Sequence, residues 1–200
     1  MKYWLFLILG LLSYLQLEAQ EIFITNNENE LKTLEVSNFS VTDVLTVDIS
    51  TYGVMLDIAF NPQGRLFATT SFNNLIEIDL DSQQITILFS LPVGASYPGL
   101  GANANNELVT SKFLQLELYA FNIDTQSFTL VESNIGTPGD FTYFKGNLIY
   151  PSFFNDYIKA YDGNTITDVG CSVPLIFGFA NVFENCETNR LGIIQYNWRE

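Results

Sequence analysis

The sequence predicts an all-β chain folded as a β-propeller of four-stranded antiparallel blades, about four blades plus the start of a fifth. Three observations point there. Strand-forming segments recur about every 42 residues, the segments alternate apolar and polar residues, and turn-forming Asn, Asp and Gly punctuate them at matching offsets. Blade-length units fall at residues 21–53, 54–96, 97–138 and 139–177, with a partial unit at 178–200.

Each unit has an apolar strand anchored at Ile22, Leu66, Leu108, Leu148 or Leu191, at successive gaps of 44, 42, 40 and 43 residues. A second strand follows at Leu34–Val36, Ile76–Ile78, Tyr119–Phe121 and Ile158–Ala160, and a third at Val41–Val44, Ile85–Leu88, Phe128–Val131 and Ile166–Val169. A shorter segment precedes the anchor from the second unit on: Leu56–Phe60, Leu100–Asn103, Asp140–Phe144 and Phe179–Phe183. In blade order these are strands A, B, C and D, with A at the axis. Ile-Glu-Ile and Ile-Thr-Ile alternation buries one face and wets the other. Asn61-Pro62-Gln63-Gly64 and Lys145-Gly146-Asn147 read as A–B turns. Asn73-Asn74 reads as a B–C turn, and Asp81–Gln84, Asp124–Ser127 and Asp162–Thr165 read as C–D turns. Seventeen Phe, ten Tyr and frequent β-branched residues suit strands.

The strand tally of three, four, four, four and two leaves open edges. Three arrangements satisfy it: a truncated piece of a longer propeller, a closed four-bladed ring with a strand left over, or edges capped by a second copy or a partner. The absence of C and D strands after Trp198-Arg199-Glu200 favours the first.

Residues 1–19 read as a secretory signal. Lys2 is followed by the apolar run Tyr3–Leu15, and Ala19 offers a cleavage point. The run is too short to span a bilayer. The mature chain is therefore expected to be secreted, periplasmic or at the cell surface, without membrane insertion. In that compartment Cys171 and Cys186 are free to form a disulfide. The strand map places them at opposite rims of a sheet, where a bridge requires residues 172–178 to fold back, so both states stay open.

A net charge of −14 disfavours nucleic acid and anionic lipid. The sequence has no histidine, which removes Ser-His-Asp and Cys-His catalysis, histidine-ligated metals and a histidine general base. No Gly-rich phosphate loop follows any strand. Asp57 and Asp140 both open an A strand and could share a divalent cation such as calcium, although Gly99 occupies the matching place in the unit between them. Phe72, Phe113 and Phe154 recur after strand B and are expected to pack blades. Residues that break the repeat on the D–A and B–C rim (Tyr97, Lys112, Phe153, Asn155 and Asp156) form the expected ligand-binding patch, with Tyr97 exposed.

The segment Leu56-Asp57-Ile58-Ala59-Phe60-Asn61-Pro62-Gln63-Gly64-Arg65-Leu66-Phe67, followed by Leu75-Ile76-Glu77-Ile78-Asp79, resembles the blade pattern of NHL-type and SMP-30/gluconolactonase-like propellers. It is also similar to blades of secreted bacterial propellers of the YVTN type. The resemblance covers one blade closely, and the third and fourth in hydrophobic pattern and turns. It implies the fold. Gluconolactonase-like enzymes hold an axial divalent metal through Glu, Asn and Asp, a set with no residue-by-residue counterpart in this chain. The expected function is a binding or scaffold module for a glycan, peptide or protein partner. The alternatives are a metal-dependent hydrolase or lactonase and a non-functional fragment of a larger propeller.

Overall fold

A computed structural model describes residues 21–195 except 27, 114, 138, 140, 153–156, 171–175, 185 and 186; for Glu21 and residues 176–195 it describes the backbone. The signal segment, Phe153, Phe154, Asn155, Asp156, Asp140, Cys171 and Cys186 lie outside the described residues. The chain divides into two compact units, Met1–Thr46 and Val47–Glu200.

The first unit holds one antiparallel sheet in the order β1 (Glu21–Thr25), β2 (Glu30–Glu35) and β3 (Val41–Thr46). These are the B, C and D strands expected of the first blade. The second unit begins with one helical turn, α1 (Ile49–Tyr52), too short to leave a periodic pattern in the residues. Asp48 caps it, its carboxylate accepting from the Ser50 amide.

Three four-stranded sheets follow, each an antiparallel meander in chain order. The second blade is β4 (Met55–Phe60), β5 (Leu66–Thr70), β6 (Asn74–Ile78) and β7 (Ile85–Ser90). The third is β8 (Gly99–Ala102), β9 (Glu107–Lys112), β10 (Glu117–Asn122) and β11 (Ser127–Glu132). The fourth is β12 (Thr142–Phe144), β13 (Asn147–Pro151), β14 (Ile158–Tyr161) and β15 (Ile166–Gly170). A two-stranded sheet, β16 (Ile176–Glu184) with β17 (Glu187–Gln195), supplies the A and B strands of the fifth. The first strands lie side by side, β8 against both β4 and β12, and β12 against β16. The A strands are thus innermost, as the propeller requires.

Burial follows strand position. Every residue of β5 is buried and β9 and β13 nearly so, whereas β7, β11 and β15 are largely exposed. Oily side chains from consecutive blades interlock. Phe67 and Leu75 of the second blade pack with Leu100, Leu108 and Phe121 of the third. Val109 and Leu118 of the third pack with Phe141, Leu148 and Tyr150 of the fourth. Fully burying each such side chain contributes about 1.5–3 kcal/mol, so the blade-to-blade faces carry most of the stability.

The C–D hairpin has a feature that hydrophobic pattern does not reveal. Its register slips by one residue at the same rung of each blade, between Leu31/Lys32, Leu75/Ile76, Leu118/Tyr119 and Ile158/Lys159. Such bulges increase local twist. The residue after the slip faces a D-strand partner, and in two blades the pair is an ion pair: Lys32 with Asp43 at 2.6 Å and Lys159 with Asp168 at 2.7 Å. The C–D turns close on one side chain each. Asp79, Asn122 and Asp162 accept from two backbone amides two and three residues ahead.

Candidate functional site

The meander puts D–A connectors and B–C turns on one rim, and A–B and C–D turns on the other. Backbone bonds knit the first rim. Val54 O accepts from Ser71 N at 2.8 Å, Asn73 O from Leu91 N at 2.7 Å, Ser96 O from Phe113 N at 2.9 Å and Leu116 O from Ile135 N at 3.1 Å. The B–C turns repeat one conformation, with Asn73 and Leu116 at left-handed φ values of 58° and 56°. Three residues after strand B ends at Thr70, the chain has already turned back, which throws Phe72 outward; Phe113, one residue beyond β9, is likewise carried out.

This reverses the expectation for the aromatic residues. Phe72 is 56% exposed and Phe113 38%, so the recurring Phe of the B–C turn does not pack the blades. Tyr97, expected at the surface, is fully buried. Its ring meets Phe128 edge-on, with centroids 6.4 Å apart, and its hydroxyl donates to the Pro92 carbonyl at 3.3 Å. Burial pushes that hydroxyl's pKa up to about 12. The physical reason is the shape of the connector: residues 91–98 form a loop with Leu91 and Tyr97 both tucked inside and Val93 left 89% exposed at its tip.

Lys112 does lie on this rim, at the end of β9. It is half-buried, and its ammonium sits 3.3 Å from the carboxylate of Glu117, its register partner on β10. Glu117 also accepts the Tyr119 hydroxyl at 2.9 Å. Of the expected patch the described residues therefore bring Lys112 to the surface and take Tyr97 away from it.

The rim carries a second set that sequence reasoning missed. Outside the D strands, the exposed large apolar residues of the second unit are Ile49, Phe72, Val93, Phe113 and Tyr157, among the described residues. All five belong to D–A connectors or B–C turns. Within the second unit, the turns of the opposite rim are rich in Asn, Asp, Gln, Ser, Thr and Gly and expose no large apolar side chain among the described residues; in the first unit the C–D turn does expose Val36 and Phe39. The signal available in the sequence was position: an apolar residue inside a turn, rather than inside a strand, has no sheet face to cover it.

At the inner strands, Asp57 follows a bulge at Leu56, since Met55 pairs with Thr70 and Asp57 with Thr69. Its Oδ2 accepts from the Leu100 amide of the next blade at 2.6 Å, and its Oδ1 from the Ile58 amide at 2.8 Å. The same pair of A strands is tied at the other rim, where the Asn61 amide donates to Asn106 Oδ1 at 2.7 Å. One blade further on, the equivalent position is Gly99. A Cβ there would overlap the Gly139 carbonyl oxygen and the Phe141 ring, and Ser111 donates to that carbonyl at 3.3 Å. Where the chains come this close, a carboxylate has no room. Among the described residues no three of the His, Cys, Asp and Glu side chains converge as a metal site.

The fold recurs in solved propellers. A Bacteroides thetaiotaomicron VPI-5482 structural genomics protein of unknown function superposes with TM-score 0.69 at 12% identity, covering 88% of this chain and 54% of that one. A nidogen/laminin complex matches with TM-score 0.56 at 16% identity, over 71% and 55%. Virginiamycin B lyase from Staphylococcus aureus matches with TM-score 0.55 at 15% identity, over 80% and 56%. The chain spans about half the length of the solved structures it matches. No protein-family model and no curated protein sequence matches it. At these identities the likeness is one of fold, and the fold serves both binding proteins and lyases.

Proposed function

We propose that this chain is a secreted binding or scaffold module of a propeller, and that it takes up a glycan, peptide or protein partner on the D–A and B–C rim. One observation carries the reading: among the described residues, the large apolar side chains that the second unit exposes outside its D strands all sit in the loops of that rim. Burying exposed Phe, Tyr and aliphatic surface is what drives partner binding, and loops on a rigid sheet scaffold position such groups at little cost in order. Lys112 and Glu117 supply a fixed polar pair beside them.

The metal-dependent hydrolase reading gains no support from Asp57, both of whose oxygens accept backbone amides, Oδ2 from Leu100 of the next blade and Oδ1 from its neighbour Ile58.

Glycan and peptide arrays probed with the labelled mature protein test the proposal. Partners retained by the wild type should be lost by a Phe72→Ser, Phe113→Ser variant and kept by an Ile87→Ser variant, whose change lies on the exposed D strand β7. Equal retention by both variants would move the interaction off this rim.

A further inference from the structure

We infer that the occupant of this rim is a cationic polypeptide segment that also carries apolar side chains; the inference rests on the rim being the binding surface. The described carboxylates and amines of the rim are Asp48, Asp57, Lys112, Glu117 and Glu132. They comprise four acids and one base, and the base is already held by Glu117. The other cations of the second unit whose side chains are described, Arg65, Lys145 and Lys159, are occupied too. Arg65 makes a two-pronged bridge to Glu77, at 2.6 and 2.7 Å, and Lys159 pairs with Asp168. Lys145 lies over the Phe144 ring on the opposite rim. The rim therefore presents negative charge without a neutralising partner, on a chain whose net charge is −14.

Three of the described polar side chains of the rim are already engaged within the chain. Asp48 binds Ser50 and Thr51, Asn74 Oδ1 takes the Ser90 hydroxyl, and Glu132 takes the amides of Ser133 and Asn134 with the Tyr161 hydroxyl. Beside them the described residues offer a partner apolar surface (Ile49, Phe72, Val93, Phe113, Tyr157) inside a negative field. A segment alternating Lys or Arg with Leu, Val or aromatic residues complements both. An anionic or purely polar ligand complements neither.

The test uses the mature chain and four probes: a Lys/Leu peptide, an equal-length Glu/Leu peptide, oligolysine and a neutral oligosaccharide, each by titration calorimetry. The Lys/Leu peptide should bind, and its affinity should fall about tenfold between about 25 and about 250 mM NaCl. The Phe72→Ser, Phe113→Ser variant should lose about tenfold in affinity while still unfolding as a single cooperative transition in urea, at a midpoint lowered only by the part of each ring that is covered; Val93→Ser, 89% exposed, should lose less affinity in the same direction with its midpoint unchanged. Oligolysine binding as tightly as Lys/Leu would overturn the inference, since charge alone would then suffice. So would binding of the Glu/Leu peptide or of no probe. Binding of the oligosaccharide in place of the peptide, abolished by the Phe pair, would overturn the inference and leave the rim as the binding surface. Lys/Leu binding indifferent to the Phe pair would overturn both.

Discussion

Replacing Asp57 probes how consecutive blades are fastened. The Leu100 amide donates to Asp57 Oδ2 at 2.6 Å, and Leu100 is buried, so water reaches that amide poorly once the carboxylate is gone. An amide hydrogen bond to a charged group contributes about 1.5–3 kcal/mol, and a buried donor left unmatched costs about 1–3 kcal/mol. Asp57 itself is only half-buried, which moderates both effects. Asp57→Ala should therefore destabilise the fold by about 2 kcal/mol, lowering Tm by roughly 4–8 °C for a chain of this size. Asp57→Asn keeps an acceptor oxygen without the charge and should lose about half as much. Urea unfolding followed by aromatic fluorescence measures both. The experiment is run once in EDTA and once in calcium, and the losses should match. A loss below about 0.5 kcal/mol for Asp57→Ala would refute the strap, given the buried amide it leaves behind. A loss that grows with calcium would show Asp57 acting as a metal ligand instead.

Two further outcomes follow from the same geometry. Gly99→Ala should cost about 3 kcal/mol or more, because its new methyl collides with the Gly139 backbone and the Phe141 ring. Gly64→Ala, with open space around it and only a φ of 77° to strain, should cost about 1 kcal/mol; equal losses in urea unfolding would contradict the close approach. In alkali, burial holds the Tyr97 and Tyr150 hydroxyls up at about 12 against an ordinary value of 10.0. The folded protein then keeps protons that the unfolded chain releases. That contribution is complete below a pH of about 10 and is lost as the pH rises towards about 12. Urea midpoints that stay level from about pH 8 to about pH 11.5 would show that these phenols are not shielded.

The strand order and most boundaries were readable because each blade alternates oily and polar residues and closes its turns with Asn, Asp or Gly. Leu66, Leu108 and Leu148 anchor B strands that are buried as expected. The C–D bulge was not readable, because it is a slip in backbone pairing that leaves composition unchanged. The Lys159–Asp168 pair depends on that slip and was hidden with it. The rim was misread for a different reason. Recurrence of Phe72 and Phe113 points to packing only where the equivalent backbone position faces a neighbouring sheet, and here that position faces water. Tyr97 breaks the repeat because its connector doubles back and hides it, with Pro92 placed to take the hydroxyl.

The shared bulge bears on how little a blade must specify. Each blade asks for little at that rung: one aliphatic residue before the slip, met by Leu31, Leu75, Leu118 and Ile158, and almost anything after it, as Lys32, Ile76, Tyr119 and Lys159 illustrate. Constraints so sparse let dissimilar strings of residues trace one main-chain course, four times over within a single molecule.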